Sequence, residues 1–199
     1  MITIIDYGAG NLFSVKNALD FIGVESVISS APDDLRAADK LILPGVGSFP
    51  DAMEKLHEHG LVDVIREETK KKPLLGICLG MQILFEKGYE FEETDGLGLI
   101  PGKVDLLVAP GQKIPHMGWD SLTILNPSPL SASITGGDMV YFVHSYKAVT
   151  DEQYISMYTE YGQRVPALVT DGANVYGAQF HPEKSGSIGL GILKSYAAL

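Results

Sequence analysis

The chain has 199 residues, 45% of them hydrophobic, and a formal net charge of -10 at pH 7. That length and composition can bury a substantial core, so we expect a single domain over residues 1–199. The acidic charge disfavours nucleic acid as a partner, because phosphate binding needs a basic face. No apolar run approaches the roughly 20 residues that span a bilayer, and the N-terminus lacks the features of a secretory signal. We therefore expect a cytoplasmic protein without membrane contact, whose ligands are small molecules or proteins.

Strand and helix patterns alternate in the first half of the chain. "MITIID" predicts a buried strand, and after it Leu12, Val15 and Leu19 recur at helical spacing before Gly23, which suits a helix C-terminus. The following predicted elements are the strands "VESVIS" and "DKLILPG", one or two helices in "DAMEKLHEHGLVDVIREETKKK", the short buried strand "PLLGICL", and a helix in "MQILFEKG". This order predicts parallel α/β units with right-handed crossovers.

From about Lys103 the pattern changes to strands without clear helices between them. The predicted strands are "KVDLLV", "DMVYFVHSYKAV", "YISMYTEY", "ALVTDG" and "VYGAQFH", and a closing helix begins at about Gly186. We expect an α/β fold with a flavodoxin-like open sheet, parallel in its first half with an antiparallel section, and helices on both faces. Ligands of such sheets bind beyond the carboxyl ends of the strands.

The glycine-rich segment "YGAGN" follows the first predicted strand. Its glycines could hold a phosphate, but the third glycine position of a dinucleotide fingerprint falls on Phe13. A tight turn is the better interpretation.

The segment "GICLGMQ" contains the only cysteine, Cys78, at the predicted end of a buried strand. A strand that turns sharply into a helix exposes the residue at the turn, and flanking glycines remove side chains that would crowd it. The helix N-terminus favours an anion there, and the N–H of Leu79 points to where an oxyanion would form. The segment therefore predicts a nucleophile elbow with sulfur as the nucleophile. A small buried core cysteine is the alternative interpretation.

A thiol nucleophile needs a base and a group that orients the base. "QFHPEKS" places His181 at the end of a late predicted strand, with Glu183 two residues on, so that the carboxylate can accept from one imidazole nitrogen and leave the other for the thiol. An ordinary polar loop is the alternative. The remaining histidines have simpler predicted roles, on a solvated helix face for His57 and His59 and as hydrogen-bonded structural residues for His116 and His144. No local ligand spacing predicts a metal site.

Taken in this order, "GICLGMQ" and "QFHPEKS" resemble the nucleophile and His/Glu signatures of the class I (triad) glutamine amidotransferases. The segments "IIDYGAGNLFSV", "LILPGVGSF", "PHMGWD" and "YFVHSYKA" resemble the members of this family that supply ammonia to a cyclase. The resemblance runs from Met1 to the C-terminal helix, and it implies the fold of that family.

The resemblance implies that Cys78 attacks the side-chain amide of glutamine, that His181 transfers protons, and that Glu183 orients His181. The oxyanion hole would consist of the N–H of Leu79 and the N–H of Val46 in "PGVG". Glycines on both sides of Val46 allow its peptide to flip, which gives a route to switching the hydrolase on and off.

The resemblance implies no cofactor. It assigns glutamine binding to Gly47, Gln82, Glu90, Ser145 and Tyr146. It also implies a heterodimer with a cyclase subunit that has a (β/α)₈ barrel, contacted through Asn11, Trp119, Tyr141 and Lys184. The sequence alone equally allows a core role for Trp119 and a solvated surface role for Lys184.

Two departures from the family pattern affect these assignments. "FEKGYE" lacks an expected serine and acidic pair, so the role of Glu90 depends on its spacing from Cys78. Asp120 stands in "HMGWD" where asparagine is usual, and its added charge could alter contacts with the partner.

Three other functions compete with this interpretation. A glutaminase subunit of another ammonia-channelling synthase would share the triad but not "PGVGSF" and "HMGWD". A cysteine hydrolase or peptidase of related fold would have the elbow but not the late "HPE". A non-catalytic module of the same fold would have a damaged triad.

Overall fold

The computed structural model describes residues 1–199. Its helices are α1 (Leu12–Phe21), α2 (Pro32–Ala37), α3 (Phe49–Glu58), α4 (Leu61–Glu68), α5 (Leu79–Gln82) and α6 (Gly186–Ala197). Its strands are β1 (Ile2–Ile5), β2 (Ser26–Ser29), β3 (Lys40–Gly45), β4 (Leu74–Cys78), β5 (Phe85–Gly88), β6 (Thr94–Asp95), β7 (Ile100–Leu106), β8 (His116–Ser121), β9 (Thr123–Ile124), β10 (Met139–His144), β11 (Tyr146–Val149), β12 (Ile155–Glu160), β13 (Arg164–Thr170) and β14 (Val175–Ala178). No helix has the length and apolarity that crossing a membrane requires.

The main sheet has eight strands in the order β2-β1-β3-β4-β14-β13-β12-β9. The strands from β2 to β14 pair in parallel, and those from β14 to β9 pair antiparallel. The predicted parallel first half with an antiparallel section is confirmed. Two smaller sheets accompany it, an antiparallel pair of β10 with β8 and a four-stranded sheet in the order β11-β7-β5-β6.

Helices cover both faces of the main sheet, as predicted. Successive side chains of a strand point to opposite faces, and in β3 Leu41 and Leu43 join one hydrophobic cluster while Ile42 joins the other. The first cluster contains buried residues of α2, α3 and α4, and the second contains those of α1 and α6. Burial on both faces explains why the parallel strands are apolar along their whole length.

The prediction of a helix across "MQILFEKG" was wrong. Helix α5 is a single turn that ends at Gln82, and Phe85–Gly88 forms β5, which pairs with β6 and β7. A Cβ on Gly88 would lie 2.5 Å from the ring of Phe49, so the strand passes directly beneath α3 and has no room for a side chain there. Long-range pairing thus overrides the local pattern.

The sequence left further elements undecided or unnoticed. The long charged segment forms two helices, because Gly60 has a φ of +65° between α3 and α4. Helix α2 and strands β6, β8 and β9 were not predicted. Helix α2 has only six residues, too few to show a helical period in the sequence. Strand β8 is defined by its pairing with β10 and not by a strand-like composition.

The candidate site lies at the carboxyl ends of three neighbouring strands. In the sheet β4 lies between β3 and β14. Cys78 ends β4, Gly45 pairs with it from the end of β3, and the chain beyond β14 leads to His181.

Candidate active site

Cys78 lies at a sharp turn between β4 and α5, as the sequence predicted. Its φ of +56° and ψ of -111° are strained for a residue with a side chain, and such strain is concentrated at functional sites. Two glycines make the turn possible. A Cβ on Gly80 would lie 1.8 Å from the carbonyl oxygen of Leu43, and one on Gly76 would lie 2.5 Å from the carbonyl oxygen of Gly80. The glycines around Cys78 are therefore required by close backbone packing.

The thiol of Cys78 lies among polar groups although its residue is buried. Its Sγ is 3.8 Å from the carbonyl oxygen of Val143, and the side-chain amide nitrogen of Gln179 is 4.0 Å from Sγ. The alternative of a purely apolar core position does not fit these contacts.

His181 and Glu183 form a buried pair beside the thiol. Nδ1 of His181 lies 2.8 Å from Oε1 of Glu183, and the two side chains are 5% and 1% exposed. Burial lowers the pKa of His181, but the Cys78 thiol and the Glu183 carboxylate outweigh this and raise it to about 9. The alternative of an ordinary polar loop does not fit, since a solvated loop would leave both groups exposed.

Cys78 and His181 line a cleft of about 370 Å³, within the size range of small-molecule sites. The two residues predicted to supply the oxyanion donors, Leu79 and Val46, also line it. Leu79 is the first residue of α5, and the N–H of Val46 makes no hydrogen bond within the chain. Gly47 beside it has a φ of +104°, a conformation that favours glycine.

The remaining lining residues include every residue that the sequence analysis assigned to glutamine, namely Gly47, Gln82, Glu90, Ser145 and Tyr146. Oε2 of Glu90 accepts a hydrogen bond from the N–H of Phe49 at 2.7 Å. Burial raises the pKa of Glu90, and this hydrogen bond opposes the increase. The buried side-chain amide of Gln82 donates to the carbonyl oxygen of Tyr146 at 3.0 Å and to Oε1 of Gln179 at 3.1 Å. These two hydrogen bonds stabilise the cleft wall.

The structure also places the four residues predicted to contact a partner. Trp119 and Tyr141 face each other across β8 and β10, with ring centroids 6.1 Å apart. Trp119 is 50% exposed, which excludes the core role that the sequence allowed. Lys184 is exposed, and Asn11 caps α1 by accepting from the N–H of Ser14.

Sequence reasoning missed three groups that contact the cleft or its wall. Gln179 had a usable signal, because it stands two residues before His181 in the predicted strand "VYGAQFH", and residues two apart in a strand face the same side. The carbonyl of Val143 had none, because any residue supplies a carbonyl. His144 was expected only to be hydrogen-bonded, and it is, but it also lines the cleft.

Two histidines connect the cleft wall to Asp120. His144 Nδ1 lies 2.8 Å from the carbonyl oxygen of Tyr146, its Nε2 lies 3.0 Å from Nδ1 of His116, and Nε2 of His116 lies 2.8 Å from Asp120. Burial lowers the pKa of His144 to about 3. His144 is therefore neutral and cannot replace His181 as the charged partner of the thiol.

An open α/β sheet with a cysteine at a strand-to-helix elbow and a buried His/Glu pair beside it is the architecture of the triad amidotransferases. The family model for glutamine amidotransferase class-I matches residues 3–193, and the chain belongs to this family. Within it the chain belongs with the HisH proteins. It is 50% identical over 197 residues to the imidazole glycerol phosphate synthase subunit HisH of Lactococcus lactis, covering 98% of this chain and 96% of the relative. It is also 50% identical over 198 residues to the same subunit of Listeria innocua, covering 98% and 94%.

Solved structures show the same fold at lower sequence identity. PurLQS of Thermotoga maritima matches with a TM-score of 0.76 at 22% identity, covering 99% of this chain and 97% of that chain. A structure described as a glutamine amidotransferase matches with a TM-score of 0.76 at 20% identity, covering 100% and 99%.

Proposed function

We propose that this chain hydrolyses glutamine to glutamate and ammonia, and that it delivers the ammonia to a cyclase subunit with a (β/α)₈ barrel. In this proposal the chain is the glutaminase subunit of imidazole glycerol phosphate synthase, which forms imidazole glycerol phosphate and AICAR in histidine biosynthesis. The identity to relatives of that name supports the assignment. Residues 1–199 act as one amidotransferase domain in the cytoplasm, in a heterodimer with the cyclase.

The first half of the reaction forms a thioester. The sulfur of Cys78 attacks the side-chain amide carbon of glutamine, and the N–H groups of Leu79 and Val46 stabilise the oxyanion. His181 holds its proton at neutral pH, because its pKa is raised to about 9. With Nδ1 held by Glu183, Nε2 gives that proton to the leaving nitrogen. The C–N bond breaks and ammonia leaves.

The second half regenerates the enzyme. His181 is now neutral and accepts a proton from water, whose oxygen attacks the thioester carbon. The C–S bond breaks, glutamate leaves, and the thiolate again faces a protonated His181. Glu183 keeps the imidazole in one orientation through both halves.

The cleft also fits the two ends of glutamine that do not react. The carboxylate of Glu90 is held by the N–H of Phe49 and suits the ammonium group of the substrate. Backbone N–H groups near Gly47 and Ser145 suit its carboxylate. The fixed anion and the thiol, which line the same cleft, set the direction in which glutamine binds.

The observation that carries the proposal is the buried His181–Glu183 pair beside Cys78 in a cleft that Glu90 also lines. A non-catalytic module would have no reason to keep a strained cysteine beside a buried ion pair. The same observation disfavours a peptidase, because Glu90 provides a recognition group for a free amino acid.

The test is glutamate release from glutamine by the purified chain, alone and mixed with the cyclase subunit and its nucleotide substrate. We expect activity to rise sharply in the mixture and to vanish in Cys78→Ala. Equal activity with and without the partner would contradict the subunit assignment. Full activity in Cys78→Ala would contradict the catalytic assignment itself.

A further inference from the structure

The hydroxyl of Tyr7 is a buried donor without a partner. The residue follows β1 and is 0% exposed, and Oη is one of only four buried side-chain oxygen or nitrogen atoms in the chain that make no hydrogen bond. A buried hydroxyl without a hydrogen-bond partner destabilises the folded state, so each such group in a folded protein needs an explanation. Phenylalanine would fill the same space without that cost.

This hydroxyl lies where the two predicted oxyanion segments meet. A Cβ on Gly45 would be 2.8 Å from Oη of Tyr7, 2.8 Å from the backbone nitrogen of Gly80 and 3.0 Å from the side chain of Leu79. Gly45 precedes Val46, and Leu79 and Gly80 follow the nucleophile. The hydroxyl therefore lies between the loop that carries the Val46 N–H and the helix that carries the Leu79 N–H.

The "YGAGN" turn, which the proposed reaction leaves without a role, supports the same loop. A Cβ on Gly10 would lie 3.3 Å from the carbonyl oxygen of Pro44, so the turn packs against the start of "PGVG". The turn therefore packs behind the "PGVG" loop, and the side chain of Tyr7 points from the turn towards this loop.

We infer that Tyr7 is a positioning residue for the oxyanion hole, whose hydroxyl donates to the carbonyl oxygen of Gly45 when the Gly45–Val46 peptide rotates to present the Val46 N–H to the cleft. The inference rests on the proposed glutaminase reaction. In the present conformation neither Tyr7 Oη nor the Val46 N–H has a hydrogen-bond partner. Because a peptide is planar, its N–H and C=O turn together and point in opposite directions.

The distances allow this contact. A Cβ lies one bond from its Cα, so Oη is within roughly 4.3 Å of the Cα of Gly45, and a carbonyl oxygen lies roughly 2.4 Å from its own Cα. Rotation about the backbone of Gly45 can therefore bring the carbonyl oxygen within hydrogen-bond distance of Oη. A side chain at position 45 would occupy that space and would also approach the backbone nitrogen of Gly80 to 2.8 Å, so both contacts favour glycine there.

The hydroxyl of Tyr7 keeps its proton and can therefore donate a hydrogen bond. Burial raises its pKa far above the ordinary value, and the charge of Cys78 raises it further. The hydroxyl consequently stays protonated at neutral pH, and it does not act as a base toward the thiol. Its contribution is a hydrogen bond made in one loop conformation and absent in the other.

The test compares Tyr7→Phe with the wild type, each in complex with the cyclase subunit and its nucleotide substrate. We expect kcat for glutamate release to fall about tenfold, the effect of one lost hydrogen bond, with KM for glutamine unchanged. We expect the melting temperature to stay the same or rise, because the unsatisfied hydroxyl is gone. The rate of Cys78 alkylation by iodoacetamide should not change, since that reaction forms no oxyanion.

Tyr196→Phe is the matched control. Tyr196 is also fully buried, but its hydroxyl donates to the backbone carbonyls of Leu41 and Pro73, away from the cleft. This variant should lower the melting temperature and leave kcat unchanged, the opposite pattern to that of Tyr7→Phe.

Wild-type kcat in Tyr7→Phe would overturn the inference, and so would a parallel fall in the alkylation rate, which would place the effect on the thiol. If wild-type glutamate release does not depend on Cys78, both the proposed function and this inference fail. If it does depend on Cys78 while Tyr7→Phe behaves as the wild type, only this inference fails.

Discussion

One oxygen of the Glu183 carboxylate lies 2.8 Å from Nδ1 of His181, and the other oxygen, Oε2, is buried without a hydrogen-bond partner. The carboxylate therefore directs its charge at a single imidazole. A carboxylate paired with a histidine in this way holds the imidazole ring in one orientation and stabilises its charged form.

Replacing Glu183 by glutamine tests this relationship. The amide oxygen can still accept from Nδ1, but the negative charge that stabilises the imidazolium is lost. We expect kcat for glutamate release to fall by roughly 10²–10⁴, with a small change in KM. Glu67→Gln, an exposed change on α4, is the control and should leave kcat unchanged. Retention of most activity in Glu183→Gln would show that the reaction does not need the negative charge of Glu183 to stabilise the imidazolium of His181.

The stability of the fold should depend on pH through His181. Its pKa rises from 6.5 to about 9 in the folded chain, so between these values the native state binds more protons than the unfolded state. This contribution to the free energy of unfolding is fully present below pH 6.5 and is lost as pH rises through 9. Urea unfolding at pH 6.5 and pH 9.5 measures the loss.

Cys78→Ala is the informative comparison for this pH dependence. Interaction with the thiol raises the pKa of His181, so its removal should shrink the loss of stability between the two pH values. An identical loss in the wild type and in Cys78→Ala would contradict the thiol–imidazole interaction.

The sequence predicted the elements whose pattern is local and strong. Strand β4 is a continuous apolar run that ends in glycine-flanked Cys78, and backbone packing alone requires that arrangement. His181 and Glu183 were predicted as a pair because two residues in sequence fix their proximity. The structure brings this pair to the cysteine, while their catalytic roles stay predictions.

Features decided by distant partners were not predictable. Phe85–Gly88 follows α5 with an apolar and charged mixture that suits a helix, yet it becomes β5 because β7 offers a parallel partner. The link from His144 to Asp120 joins β10 and β8, which one sequence cannot align. The exposed position of Trp119 depends on the same pairing.

Replacing Glu90 by glutamine tests its predicted role in binding the substrate. Glu90→Gln keeps an acceptor for the N–H of Phe49 but removes the charge that would face the substrate ammonium. We expect KM for glutamine to rise roughly 10–100-fold, the value of one charged hydrogen bond, with kcat little changed. Glu92→Gln, an exposed change two residues on, is the control.

The pH dependence of KM follows from the same carboxylate. Burial raises the pKa of Glu90, so the carboxylate takes up a proton at a higher pH than an exposed glutamate does. Wild-type KM should increase as pH falls toward this raised pKa, and KM of Glu90→Gln should not. A parallel increase in both proteins would contradict the role of Glu90.

We expect that glycine is required at position 80 because of backbone packing and not because of a chemical role. An alanine Cβ there would lie 1.8 Å from the carbonyl oxygen of Leu43, a backbone atom that cannot move aside without disrupting β3. We expect Gly80→Ala to lower the free energy of unfolding by about 3 kcal/mol or more. Gly136→Ala, where no atom lies within 4 Å of the added Cβ, should be nearly neutral. Thermal unfolding of both variants measures the difference, and equal stability would contradict the close approach.

Asp120 should control the protonation of His116. The two histidines bridge the carbonyl of Tyr146 and the carboxylate of Asp120 through three contacts, which need three protons, and two neutral imidazoles supply only two. The link is complete when His116 is charged. Burial lowers the pKa of His116, and the hydrogen bond and charge of Asp120 oppose this.

In Asp120→Asn the opposing charge is gone, and the amide N–H can donate to Nε2 of neutral His116. The pKa of His116 should therefore fall further below its ordinary value. Histidine titration by NMR of the wild type and of Asp120→Asn measures the change. An unchanged pKa at His116 would mean that the carboxylate does not act on the imidazole, and that the substitution at position 120 affects the exposed face of β8 alone.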